Sequence, residues 1–196
     1  MNWVGILSLL LFLLTFMTTW WWMEGYLPGV GGFFKYNGNP ITFVWSSGNT
    51  SSLGLSLETF KWLSEEGRLP PGVAHRIGLT RFFLTLCTTT LSLAFLISIY
   101  ALLGRSSRAY FAAAALVFVS FLLFEFSFLA TEAPRAATLM LDLGGEQGYV
   151  KWGEGTGKYL AILLSGALLI SGFINSYLYE RPVIPRRRPR RARSYW

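Results

Sequence analysis

The sequence predicts an all-α membrane protein with a small extracellular β-sheet, built as a four-transmembrane-helix bundle. Three observations predict it. The 196-residue chain is 53% hydrophobic and only 14% charged, where soluble domains carry roughly a quarter charged residues. Its apolar residues gather into four runs of about 20, the length that crosses a ~30 Å hydrocarbon core at 1.5 Å per residue. Between the first two runs lies Gly32 to Trp45, GFFKYNGNPITFVW. Its apolar and aromatic flanks around Asn37-Gly38 read as a β-hairpin.

The first run, Val4 to Met23, lacks a basic leader and ends in Trp20-Trp21-Trp22 rather than small residues. It therefore reads as a retained span and not a cleaved signal peptide, with the tryptophans in the interfacial belt. Residues 24–81 form a first outer loop. Within it, the hairpin is followed by a turn at Trp45 to Gly48 and a short strand at Ser51 to Leu57. A helix follows at Leu57 to Glu66, capped by Ser56 and ended by Gly67 before Pro70-Pro71. Asn49-Thr50-Ser51 is a glycosylation sequon, meaningful where the loop faces the secretory lumen.

Phe82 to Leu103 is the second span, softened by Thr88-Thr89-Thr90, whose hydroxyls can bond back to helix carbonyls. Gly104 to Arg108 is a tight basic turn. Tyr110 to Ala130 is the third span, with a smooth Ala112 to Ala115 run suited to close helix approach. Residues 131–158 form a second outer loop with a strand at Gly148 to Trp152. The fourth span is 159–179, where Ser165, Gly166, Ser171 and Gly172 again suit helix packing. Residues 180–196 are rich in proline and arginine and read as a disordered basic tail.

Charge sets the orientation. The net charge of +7 is concentrated, with seven arginines between Arg181 and Arg193, and Arg105 and Arg108 in the short turn. The positive-inside rule places the turn, both termini and the tail in the cytoplasm, in a plasma membrane or endoplasmic reticulum protein. The tail arginines Arg186, Arg187, Arg188, Arg190, Arg191 and Arg193 then face anionic lipid rather than nucleic acid. Arg191-Ala192-Arg193 also has the form of an arginine-type retention signal, and Ser194-Tyr195-Trp196 a crude PDZ-ligand shape.

Chemistry is sparse. Cys87 is the single cysteine and His75 the single histidine, which excludes an intramolecular disulfide and a bis-histidine haem within one chain. No nucleophile–base pair or paired carboxylate can be assembled. No catalytic, cofactor or metal residue is assigned, and the chain reads as no enzyme. Gly144-Gly145 and the Gly153 to Gly157 stretch resemble phosphate loops only superficially, since Lys158 is not followed by Ser or Thr. Glu125 is the one acid within a span. Its readings are structural pairing with Arg81 or Lys158, a partner or ion role, and, last, proton transport. Phe33, Phe34, Tyr36, Phe43, Trp45 and Trp152 are the candidate partner contacts. Phe33 and Phe34 are adjacent, so one points to each side of a strand.

Two short stretches carry a resemblance. Thr18-Thr19-Trp20-Trp21-Trp22-Met23-Glu24-Gly25 closes the first span, and Gly172-Phe173-Ile174-Asn175-Ser176-Tyr177 closes the fourth. With the loop plan, they make the chain resemble the claudin-like tetraspan superfamily, in its germ-cell-specific-gene-one-like branch. The resemblance implies a left-handed four-helix bundle under a five-stranded sheet, four strands from the first loop and one from the second. Members also carry a Trp-Gly-Leu-Trp-like motif and a loop disulfide. Here Trp45, Leu53-Gly54-Leu55 and Trp62 echo the motif loosely and both cysteines are absent, which forgoes about 2–4 kcal/mol. The function implied is that of an interaction protein: an auxiliary subunit modulating a channel or receptor, or a junction component. The alternative is a small structural subunit of a larger membrane complex.

Overall fold

The structure is a computed structural model that describes residues 2–28, 32–45, 73–131, 135–143 and 145–179. The elements run α1 (Trp3–Met17), β1 (Trp21–Leu27), β2 (Gly32–Gly38), α2 (Pro40–Trp45), α3 (Val73–Gly104), α4 (Ser107–Thr131), β3 (Ala137–Leu143), β4 (Glu146–Glu154) and α5 (Gly157–Tyr179).

Three helical stretches are long and apolar enough to cross a membrane: Phe82–Gly104, Ser107–Ser127 and Gly157–Tyr179. The chain is accordingly a multi-pass membrane protein. Large apolar side chains stay exposed along these helices, among them Leu96, Leu103, Leu129, Leu163 and Phe173, as lipid-facing surfaces require. α1 is shorter at 15 residues, about 22 Å at helical rise.

α3 packs on α4, α4 on α5, α5 on α1, and α1 back on α3. Inside the ring the contacts are ring edges and small polar groups. Phe12 meets Phe95 at 5.4 Å between centroids. The Thr90 and Ser120 hydroxyls lie 2.7 Å apart, and the Ser165 hydroxyl donates to the Ala114 carbonyl at 3.1 Å. The threonine stretch is thus more than tolerated: Thr90 joins α3 to α4, and Thr88 donates to the carbonyl of Pro40 at 3.0 Å, tying α2 to α3.

α1 and α5 run antiparallel and are clasped at both ends. At one end Asn2 caps α1 by accepting from the Gly5 amide at 3.0 Å. Its amide nitrogen donates to Asn175 Oδ1 at 2.9 Å and to the Ser171 carbonyl at 3.1 Å. At the other end the Gly155 amide donates to the Trp20 carbonyl at 2.8 Å, and the Gly157 amide to the Thr19 carbonyl at 2.9 Å. A side chain at Gly155 would place its Cβ 2.0 Å from the Thr19 carbonyl oxygen. The glycine stretch is therefore a close-packing device, not a phosphate loop.

The first helix is shorter than the 4–23 span expected. Thr18 is extended, and its hydroxyl donates to the Leu14 carbonyl at 2.6 Å. Trp20 turns back so that its indole donates to the Thr15 carbonyl at 2.9 Å. These donors satisfy carbonyls that a helix end leaves open, and the β-branched and bulky residues that follow favour a strand. Trp20 is fully buried, edge-on to Phe124 at 5.1 Å, while Trp21 and Trp22 enter β1. So Trp20 is a core residue, not part of an interfacial belt.

The sheet order is β2-β1-β4-β3, antiparallel throughout. The hairpin expected at Asn37-Gly38 is displaced by one strand. β2 pairs with the preceding β1, Met23 opposite Tyr36, and 40–45 is helical rather than a return strand. The reason is local. Asn39 Oδ1 accepts from the Thr42 amide at 2.9 Å while Thr42 Oγ1 accepts from the Asn39 amide at 2.8 Å. With Pro40 at the first helical position, this reciprocal cap starts a helix. The second loop supplies two strands, not one. β4 contains the predicted Gly148 to Trp152, and β3 joins it through a two-residue turn. Gly145 has φ +95° there and its amide donates to Asp142 Oδ1 at 2.9 Å. Among the described residues the sheet therefore draws two strands from each loop. The strand expected at 51–57, the helix at 57–66, the Asn49 sequon and the 180–196 tail lie outside the described residues.

Gly155→Ala is expected to lower thermal stability in detergent by about 1–3 kcal/mol, the usual cost of overpacking. Gly166→Ala, where nothing lies within 4 Å of the added carbon, leaves the melting temperature unchanged or raises it.

Candidate functional site

The alternation of β1, β2 and β4 separates two sheet faces. Met23, Tyr36 and Val150 are buried on one face, with Trp21 and Trp152 half-buried beside them. Tyr36 packs edge-on to Trp21 at 5.7 Å, and its hydroxyl lies 3.4 Å from Thr42 Oγ1. Burial pushes the Tyr36 phenol up to about 12, opposed by the weaker effect of the Thr42 hydrogen bond.

The other face is open. Its cross-strand rows follow from the register. One row is Lys35, Glu24, Lys151 and Thr138. The next, further from the helices, is Phe33, Tyr26, Tyr149 and Met140. Phe33 is 77% and Met140 73% exposed, and Phe33 stacks on Tyr26 at 4.8 Å. Lys35 sits 3.9 Å from Glu24, an exposed pair of little energetic weight, and Lys151 lies over the Trp22 ring at 5.8 Å. This face thus joins an apolar strip to a row with two cations and one anion. Those are the ingredients of a protein-contact surface.

Beneath the sheet, four charges lock it to the helices. Lys158, at the start of α5, is 2% exposed. Its ammonium donates to Glu125 Oε1 on α4 at 3.0 Å and contacts Glu154 Oε2 at the end of β4 at 2.5 Å. Arg135, just before β3, lies 2.7 Å from Glu125 Oε2 and 3.7 Å from Glu154 Oε1. The buried Oε1 of Glu154 has no hydrogen bond, so Arg135 serves it through charge alone. Two acids and two cations neutralise one another where four segments converge. Lys158 is buried and the two glutamates are largely so, while Arg135 caps them from the exposed side; the buried part is costly to break from one side.

The sequence-derived candidates separate in space. Phe33 is on the open face. Tyr36 is buried and Trp152 half-buried on the opposite face, so neither belongs to an exposed aromatic patch. The side chains of Phe34, Phe43 and Trp45 lie outside the described residues. Glu125 is paired with Lys158, one of the two cations named for it; the Arg81 side chain lies outside the described residues. Glu154 and Arg135 escaped the sequence reading. The four-residue spacing of Glu154 and Lys158 was a usable signal, but it straddles a strand end and a helix start. Among the described residues no group of three His, Cys, Asp or Glu is placed to hold a metal ion. No protein-family model and no curated protein matches this sequence.

Lys158→Met leaves two largely buried acids with only the exposed Arg135 between them and is expected to cost about 3–5 kcal/mol in a thermal or denaturant measurement. Adding Glu154→Gln returns part of that loss, and the double-mutant cycle reports the coupling. A second outcome concerns Tyr36. The unfolded phenol loses its proton near 10 and the folded one near 12. Over that interval only the unfolded state is deprotonated, so stability falls as pH rises. Phenolate absorbance should show a late-titrating component that is lost in Tyr36→Phe.

Proposed function

We propose that the chain is a non-enzymatic four-span membrane protein that binds other integral membrane proteins through the open face of its sheet. It acts as an auxiliary subunit of a channel or receptor, or as a junction component. One observation carries this reading: exposed Phe33 and Met140, with Lys35 and Lys151 alongside, sit on a sheet held to the helices by the ion pairs of buried Lys158 and by the Trp20 turn. A face mounted so firmly is pre-organised, which limits the ordering cost of binding.

Support for four spans comes from the clasp between α1 and α5. Asn2 lies level with Ser171 and Asn175, and Thr19 with Gly157. α1 and its capping residues thus cover nearly the whole of a helix that is itself long enough to span. Support for orientation comes from Arg105 and Arg108 at the end opposite the sheet, which the positive-inside rule assigns to the cytoplasm. The sheet then faces outward. A claudin-like relationship remains the family we favour, on the helix ring topped by a sheet. The two-plus-two strand count among the described residues is a departure from that family's plan.

The test is affinity purification from gentle detergent, comparing the wild-type chain with Phe33→Asp and with Lys35→Glu/Lys151→Glu. Membrane proteins recovered with the wild type should fall at least tenfold with either variant while melting temperatures hold. Equal recovery from all three rejects the open face as the contact. Modification at Asn49, shifted by glycosidase, checks that the first loop is lumenal.

A further inference from the structure

The open face of the sheet is complementary to itself. β1 leaves the end of α1 and β4 returns to the start of α5, so the strands run between the bundle and the outer edge of the sheet. A two-fold axis parallel to them, passing between β1 and β4, keeps each cross-strand row at its own height and reverses its order. In the order β2-β1-β4-β3, Glu24 of one copy then meets Lys151 of the other, and this happens twice. Phe33 meets Met140 and Tyr26 meets Tyr149, also twice. The remaining cation, Lys35, falls opposite Thr138 at the rim. An axis across the strands would instead set the charged row against the aromatic one. The face has relief as well. A depression of about 320 Å³ opens beside Phe33, lined also by Glu24, Gly25, Lys35 and Tyr149. Met140 stands 73% exposed on the edge strand β3, and the axis along the strands brings it opposite Phe33, at the mouth of that depression.

We propose that a second copy of this chain in the same membrane is the partner that covers the open face, sheet on sheet about a two-fold axis along the strands, a reading that rests on the open face being the contact surface. Such an interface is isologous, so every complementary pair counts twice. Facing sheets pack about 10 Å apart with their strands nearly aligned, within reach of a lysine and a glutamate extended toward each other. The twist between the sheets displaces facing residues least near the axis. The Glu24–Lys151 and Tyr26–Tyr149 pairs lie there, on the two central strands. Charges so placed fix the register and exclude wrong arrangements more than they add affinity. Copies already held upright in one bilayer also give up less orientational freedom on pairing.

Two differently tagged full-length copies, co-expressed in one cell and recovered from gentle detergent, test this by capture of one tag through the other. Wild-type copies should capture one another. Glu24→Lys in both copies, or Lys151→Glu in both, should lower capture about tenfold or more, because like charges then face each other on both sides of the axis. A Glu24→Lys copy expressed with a Lys151→Glu copy should return to about the wild-type level, since every pair is again opposite in sign. Tyr26→Cys in one copy and Tyr149→Cys in the other should join in a disulfide under mild oxidation. Absence of capture between wild-type copies, capture that the single substitutions leave unchanged, or a mixed pair no better than its parents overturns the proposal. Other membrane proteins in the same eluates keep the two readings apart. If their recovery falls with Phe33→Asp while wild-type copies do not capture one another, the open face stands as a contact surface and only the second copy is rejected.

Discussion

Lys158 is a charged side chain buried where the helices end, and an unneutralised ammonium there would be untenable. Its two carboxylates come from different places, Glu125 on α4 and Glu154 on β4, and Arg135 balances the remaining charge. Satisfying one lysine therefore fixes the end of a helix, the end of a strand, the start of another helix and the approach to β3. The Trp20 turn adds a second constraint alongside. Its indole closes α1, its ring fills the space against Phe124, and its backbone bonds to both Gly38 and Gly155. Together they make sheet and helices one mechanical unit.

The disulfide that the resemblance leads one to expect has no substitute in kind. A buried Met23–Tyr36–Val150 face and an ion set at the base support the sheet instead. Packing and charge are reversible in a way a covalent bond is not. They also distribute the restraint over several elements rather than closing one loop.

The three long spans were legible because nothing in water imitates a run of about 20 apolar residues. Their helical identity follows from length alone. The end of α1 was harder to read, since Trp20-Trp21-Trp22 is as apolar as the helix before it and hydropathy cannot mark a change of backbone. Asn37-Gly38 misled for a related reason. The dipeptide is compatible with a turn, but a strand pairs with whatever neighbour the chain supplies, and Asn39-Pro40 with Thr42 was the stronger local signal. Glu125 was conspicuous as a lone acid in a greasy run. Arg135 and Glu154 were not, because a charge in a loop is ordinary until the fold brings it beneath a sheet. The division of the aromatics between faces required the register, which no single strand contains.

The clasp between α1 and α5 joins Asn2 to Asn175, separated by 173 positions in the chain. During synthesis the first helix emerges long before the surface it packs on. At about 5–20 residues per second, the interval is on the order of 10–35 s. For most of it Asn2 lacks its final acceptors, and the carbonyls of Thr19 and Trp20 lack the amides of Gly157 and Gly155. α3 and α4, joined by a tight turn, can pair as soon as both have left the ribosome. The packing of α1 on α5 is thus completed last, and in a chain halted before α5 the first helix lacks that partner.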